Sequence, residues 1–176
     1  MSCKPKAVLL DRDGTLVVDV PYNGDPGRVE AIPGVAGVLD GLRAAGLPLG
    51  VVTNQSGIAR GLITREQVDA VNARVDELLG PFDLWELCPH GPDSGCVCRK
   101  PAPGMILNAC EQLGLDPSEV AFIGDIGTDV EAAAAAGAIG VLVPTSVTRQ
   151  EEIDAAPLVA TDLASAVNLL TGEGRR

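Results

Sequence analysis

Short aliphatic runs alternate along this chain with segments whose apolar positions recur at helical spacing, and several of the runs stop at a polar cluster. Ala7-Val8-Leu9-Leu10, Leu49 to Val52, Trp85 to Cys88, Val120 to Ile123 and Ile139 to Val143 are the runs. A segment apolar at successive positions is buried on both faces, which suits a strand inside a parallel sheet. Between them, Val35, Val38, Leu39 and Leu42 follow Pro33 and precede Gly46, predicting a helix over 34–45. Thr64 and Gln67 have capping-box spacing, and Val68, Val71, Val75 and Leu78 share one face, predicting a helix over 64–79. Met105, Ile106, Ala109 and Leu113 mark a helix closed by Gly114, with Asp116 to Glu119 as a short turn of helix after it. An alanine-rich helix over 128–136 is closed by Gly137, and Leu158 to Leu170 adds a short strand and a helix.

This order predicts an α/β, Rossmann-like parallel sheet with helices on both faces and ligands at the carboxyl ends of its strands. The chain has 176 residues, which suits one domain over 1–170, with the glycine- and arginine-rich 171–176 as a flexible tail. Its 24 acidic against 13 basic residues give a charge of −11, so no long-range field draws it to nucleic acid or an anionic membrane. A phosphate site would have to be built from local cations and backbone N–H groups. The N-terminal residues do not resemble a signal peptide, no apolar stretch would span a membrane, and three of the five cysteines crowd around the only histidine as a metal site would, so a cytoplasmic protein, expected to be a monomer, is the reading.

Four polar clusters carry the chemistry. Asp11-Arg12-Asp13-Gly14-Thr15 sets two carboxylates at the end of a buried strand. Two acids in one pocket repel unless a cation lies between them, and magnesium, with oxygen ligands, suits the place. Asp11 can then serve as a nucleophile, with Asp13 protonating the leaving oxygen and later activating water. Thr53-Asn54-Gln55-Ser56-Gly57 offers hydroxyl, amide and backbone donors to a phosphoryl oxygen. Arg99-Lys100-Pro101 supplies two cations, Lys100 as a point charge for the phosphoryl group and Arg99 as a fork. In Gly124-Asp125-Ile126-Gly127-Thr128-Asp129, Asp125 can complete a magnesium shell and Asp129 can hold Lys100 or the metal's waters. Taken singly, each also fits a capped turn or a solvated charge pair. Together, with three following predicted strands, they point to phosphoryl transfer.

In this arrangement the chain resembles the haloacid dehalogenase (HAD) superfamily phosphatases, with Asp11 and Asp13, Thr53, Lys100, and Asp125 with Asp129 matching their four motifs. More narrowly, V-V-T-N-Q-S-G-I-A-R-G at 51–61 and C-R-K-P-A-P-G-M at 98–105 resemble the D-glycero-D-manno-heptose-1,7-bisphosphate 7-phosphatases, to which the histidinol-phosphate phosphatases are close. The resemblance implies magnesium held by the Asp11 side chain, the Asp13 carbonyl and Asp125. It also implies phosphate bound by Thr53, Asn54 and Lys100, and the rest of the substrate faced by Asp19 to Tyr22, Gln55, Ser56 and Arg99. The interval from Asp13 to Thr53 has room for one helix and none for a separate cap domain, so an open site is expected; phosphomutases and phosphonate hydrolases on this scaffold usually need such a cap.

Cys88-Pro89-His90 and Cys96-Val97-Cys98 bring three thiols and the only histidine into one short loop. This set suits tetrahedral, structural zinc, against the alternative of reduced core cysteines. Clamping 88–98 would hold the adjoining Arg99 and Lys100 in register; Cys110 reads as a small core residue, and Cys3 has no partner in the scheme. The short gap from His90 to Cys96 resembles that of histidinol-phosphate enzymes and of some heptose enzymes, motif two resembles the heptose enzymes, and Val17 stands where many heptose enzymes carry asparagine. The expected partner is a small phosphorylated metabolite, with a heptose bisphosphate the preferred substrate and histidinol phosphate second. A catalytically silent phosphate-binding relative would be marked by loss of a motif acid, and all four are present.

Overall fold

The structure of the protein, a computed structural model, describes residues 4–172. Five parallel strands form one sheet in the order β3-β2-β1-β4-β5: β1 Ala7–Leu10, β2 Leu49–Asn54, β3 Leu84–Cys88, β4 Val120–Gly124 and β5 Ile139–Leu142. The central β1 has all four residues buried because both sheet faces are covered. Val8 and Leu10 point to helices α1 (Val35–Ala44), α2 (Arg65–Leu79) and α6 (Leu163–Thr171). Ala7 and Leu9 point the other way, to α3 (Gly104–Leu113) and α4 (Gly127–Ala136). Each large aliphatic side chain sealed in these layers contributes about 1.5–3 kcal/mol.

Strand order reverses beside β1: the chain runs outward through β2 and β3, then crosses back to place β4 on the other side. Such a switch point leaves a crevice beyond the strand ends, where ligands bind. Leu10 pairs with Val51 on one side and Ile123 on the other, so Asp11, Thr53 and Asp125 emerge together.

Several details differ from the sequence expectation. β2 continues past the expected end at Val52 through Thr53 and Asn54, which pair with Leu87 and Cys88. On α2 the buried stripe ends at Leu79, with Leu78 exposed, because the step of four from Val75 keeps the helical period better than the step of three. The strand expected near Leu158 is reduced to a single bridge between Val159 and Leu142. A short helix, α5 (Gln150–Ala155), was not anticipated: its sequence QEEIDA has no apolar stripe and none of its residues is buried. Helix α6 runs through Thr171, the first residue of the expected tail, while 173–176 and Cys3 lie outside the described residues. Cys110 is buried on α3, as its helical register required.

Candidate active site

At the switch point lies a cavity of about 300 Å³, lined by Asp11, Asp13, Asp19, Tyr22, Thr53, Asn54, Gln55, Ser56, Lys100 and Asp125. All ten were singled out in the sequence, and they share one concavity. Arg99 does not line it: its Nη1 donates to the His90 carbonyl at 3.3 Å, and it borders a neighbouring depression on the cysteine-loop side that Lys100 also lines.

Lys100 organises the floor. Its ammonium donates to Asp11 Oδ1 at 2.8 Å and to the Val52 carbonyl at 3.1 Å, pairs with Asp129 Oδ1 at 2.6 Å, and lies 5.2 Å from the centroid of the Phe122 ring. Asn54 fixes the Lys100 peptide from both sides, accepting from its N–H at 3.1 Å and donating to its carbonyl at 3.3 Å. The Asn54 amide thus supports the Lys100 backbone with one of its two N–H groups. Asp129 Oδ2 accepts from the backbone N–H groups of Asp125 and Ile126, which fastens the first turn of α4 to the same cation.

Among the described residues, one side-chain oxygen from each of Asp11, Asp125 and Asp129 lies within 4.8 Å of the other two. Burial raises Asp11 well above the ordinary carboxylate range; Lys100 opposes that, and Asp129, Asp125 and Asp13 add to it. Burial and Asp129 push Asp125 up to about 7. Burial would lower Lys100, but Asp11 and Asp129 outweigh it and hold the ammonium above its ordinary value. Three buried carboxylates against one ammonium leave two negative charges, so the cluster fits a divalent cation with hard oxygen ligands. With both Asp129 oxygens engaged, Asp11 and Asp125 are the carboxylates free to serve it. Gly14 closes this corner: at φ 82° it occupies the left-handed region, and a Cβ there would sit 2.2 Å from Asp125 Oδ2.

The remaining walls come from loops. Tyr22 has φ 51°, a sparsely populated backbone for an aromatic residue, and Arg60 lies 5.8 Å above its ring. Its ring packs so closely on Gly57 that a Cβ at 57 would approach to 2.8 Å. Opposite, Val147 lines the mouth, and Thr148 Oγ1 donates to the Asp125 carbonyl at 2.7 Å. From α5, Glu152 accepts the Gly127 N–H at 3.1 Å, so the unanticipated helix braces the Asp125 turn. Val147, Thr148 and Glu152 carry no sequence signal, since their role depends on the β5–α5 connection folding back over α4. Behind Asp13, Arg12 Nη1 donates to Asn72 Oδ1 at 2.7 Å, a contact the sequence reading did not include. A signal existed for Asn72, a polar residue within the apolar stripe of α2, and for Arg12, a cation placed between two motif acids.

The four residues of the cysteine loop converge as expected. Cys88 Sγ lies 3.2 Å from Cys98 Sγ, 3.8 Å from Cys96 Sγ and 3.4 Å from His90 Nδ1, and His90 Nδ1 is 3.2 Å from Cys98 Sγ. A tetrahedral site with metal–sulfur bonds of about 2.3 Å has edges near 3.8 Å, close to this spacing. Burial raises Cys88 to about 12 and also raises Cys98, whereas the Ser94 hydroxyl helps lower Cys96 to about 6. Metal binding there must release protons from the raised thiols. The Arg99 N–H donates to Cys96 Sγ at 3.4 Å, tying the cluster to the residue before Lys100.

Comparison with known proteins agrees with this geometry. Residues 97–167 match the HAD-hydrolase-like family model. The chain is 39% identical over 171 residues to the D-glycero-β-D-manno-heptose-1,7-bisphosphate 7-phosphatase of Pseudomonas aeruginosa, covering 93% of this chain and 96% of that one. The corresponding Bordetella bronchiseptica protein is 35% identical over 177 residues, covering 96% and 99%. The crystal structure of D,D-heptose 1,7-bisphosphate phosphatase from B. bronchiseptica, complexed with magnesium and phosphate, superposes with a TM-score of 0.83 at 33% identity over 96% of this chain and 99% of that one.

Proposed function

The chain belongs to the HAD-like hydrolases, in the family of the heptose bisphosphate phosphatases, and on that footing we propose that it removes the 7-phosphate of D-glycero-D-manno-heptose 1,7-bisphosphate. The observation that carries the reading is the convergence of Asp11, Asp13, Lys100 and Asp125 on one cavity at the switch point. Asp11 attacks phosphorus in line, and the bond from phosphorus to the sugar oxygen breaks as Asp13 gives that oxygen its proton. The aspartyl-phosphate on Asp11 is then hydrolysed by a water whose proton Asp13 takes back, restoring both carboxyl groups. Lys100 and the Thr53 hydroxyl steady the phosphoryl oxygens, while Asn54 acts by holding the Lys100 peptide. Magnesium, held by the Asp11 and Asp125 side chains with the Asp13 carbonyl, would supply charge neutralisation at the phosphoryl group. Asp19, Tyr22, Gln55 and Ser56 line the route to the sugar.

The test is phosphate release from heptose 1,7-bisphosphate, histidinol phosphate and small phosphomonoesters, with magnesium and with EDTA. Magnesium-dependent preference for the heptose supports the assignment; preference for histidinol phosphate would replace it, and no release from any ester would remove the enzymatic reading.

We propose zinc for the Cys88, His90, Cys96 and Cys98 cluster. Metal analysis is expected to give about one zinc per chain, and Cys98→Ser to lose it. Because Lys100 follows two residues later, that variant should also lose about 10–100-fold in kcat/KM, the range seen when support around a metal is removed. A zinc-free Cys98→Ser protein with wild-type kcat/KM would contradict the role given to the loop.

A further inference from the structure

Arg12 is 1% exposed, and a buried cation persists only where its donors are matched. Its Nε lies 3.1 Å from Asp13 Oδ2 and 3.2 Å from Oδ1, and its Nη2 lies 3.0 Å from Oδ2. On its other side, Nη1 donates to Asn72 Oδ1 at 2.7 Å. Asn72 stands one turn from Val68 and Val75 on the buried face of α2, so its backbone is anchored by the core. Gln55 Nε2 adds a third donor to Asp13 Oδ2 at 3.0 Å and also reaches Thr53 Oγ1 at 2.9 Å. Oδ2 is thus held by three donors, whereas Oδ1 receives only the longer contact from Nε.

We infer that Arg12 and Asn72 are positioning residues that aim Asp13 Oδ1 at the leaving oxygen, with helix α2 as the fixed end of the brace. This rests on the phosphatase reading above. The guanidinium is planar, so fixing Nη1 at Asn72 fixes the plane in which Nε and Nη2 meet the carboxylate. Without Asn72 the fork can swing, and a displacement of about 1 Å at a reacting group is enough to cost roughly 100-fold. A bond that merely tied α2 to the sheet would not distinguish one leaving group from another. An acid aimed at the leaving oxygen does: a sugar alkoxide must be protonated as it departs, and 4-nitrophenolate leaves without a proton.

The experiment compares Asn72→Ala with wild type in two assays, steady-state phosphate release from heptose 1,7-bisphosphate and the pre-steady-state burst of 4-nitrophenolate from 4-nitrophenyl phosphate. The expected result is a fall of about tenfold or more in kcat on the sugar ester, KM within about twofold, and a burst rate within about twofold of wild type. Asn72→Asp, which keeps the acceptor, should restore kcat. Arg12→Lys keeps the charge without the fork, should show the same split, and serves if Asn72→Ala does not fold. Equal losses in both assays, or no loss in either, overturn the positioning role. Wild-type protein inactive on both esters would defeat the phosphatase reading itself, which keeps the two failures distinct.

Discussion

Asp11→Asn is expected to lower phosphate release by about 10⁴-fold or more, because the amide keeps the shape of the side chain but is no nucleophile. The same change should leave the metal-free protein more stable. Burial makes Asp11 hold its proton more tightly in the folded protein than its ordinary value of 3.8 would allow, so ionising it opposes folding. With the folded value raised, its contribution to stability is complete below 3.8 and is lost as pH rises through the raised value. In EDTA at pH 8 the asparagine variant is therefore expected to melt a few degrees above wild type, and magnesium to narrow the gap by binding the folded wild type. Thermal melts in EDTA and in magnesium, beside a phosphate-release assay, check both halves. Substantial turnover by the variant would rule out this nucleophile.

The second large effect is at Lys100. Methionine matches the length of its stem and removes only the ammonium, which leaves Asp11 and Asp129 buried without their common partner. Breaking a buried pair in this way costs about 3–5 kcal/mol, or about 10 °C in melting temperature for a chain of this size. Loss of a cation directed at the phosphoryl group should also lower kcat about 10²–10³-fold. Differential scanning calorimetry and steady-state kinetics on Lys100→Met read the two effects separately. A variant that melts with wild type would mean that the ammonium is not what holds the three carboxylates together.

Many of the residues that converge on the cavity were legible beforehand, and for a definite reason. Asp11 and Asp125 follow continuous apolar runs, and a parallel sheet brings the carboxyl ends of such runs to one edge. The cysteine loop was legible for a different reason, because its four side chains lie so near in sequence that any compact loop brings them together. What periodicity left open was which partners these side chains take in the fold. The amide of Asn54, expected to serve a phosphate, also brackets the Lys100 backbone at the end of β2. The Arg99 guanidinium, expected to face the substrate, donates one N–H to the His90 carbonyl nine residues away. Helix α5 has no apolar stripe to announce it, and its use lies in what Glu152 caps on α4.

The amino-acid sequence by itself determined the α/β alternation and the polar clusters near the strand ends, because periodicity and turn chemistry are local properties of the chain. It also determined that three thiols and one imidazole gather in the cysteine loop. Only the tertiary structure decided which carboxylate oxygens remain free for a cation and that Asp129 serves Lys100. It alone joined Arg12 and Asn72 behind Asp13. Those outcomes depend on the directions of side chains that meet across the sheet, and no local pattern encodes a direction that packing between distant segments imposes.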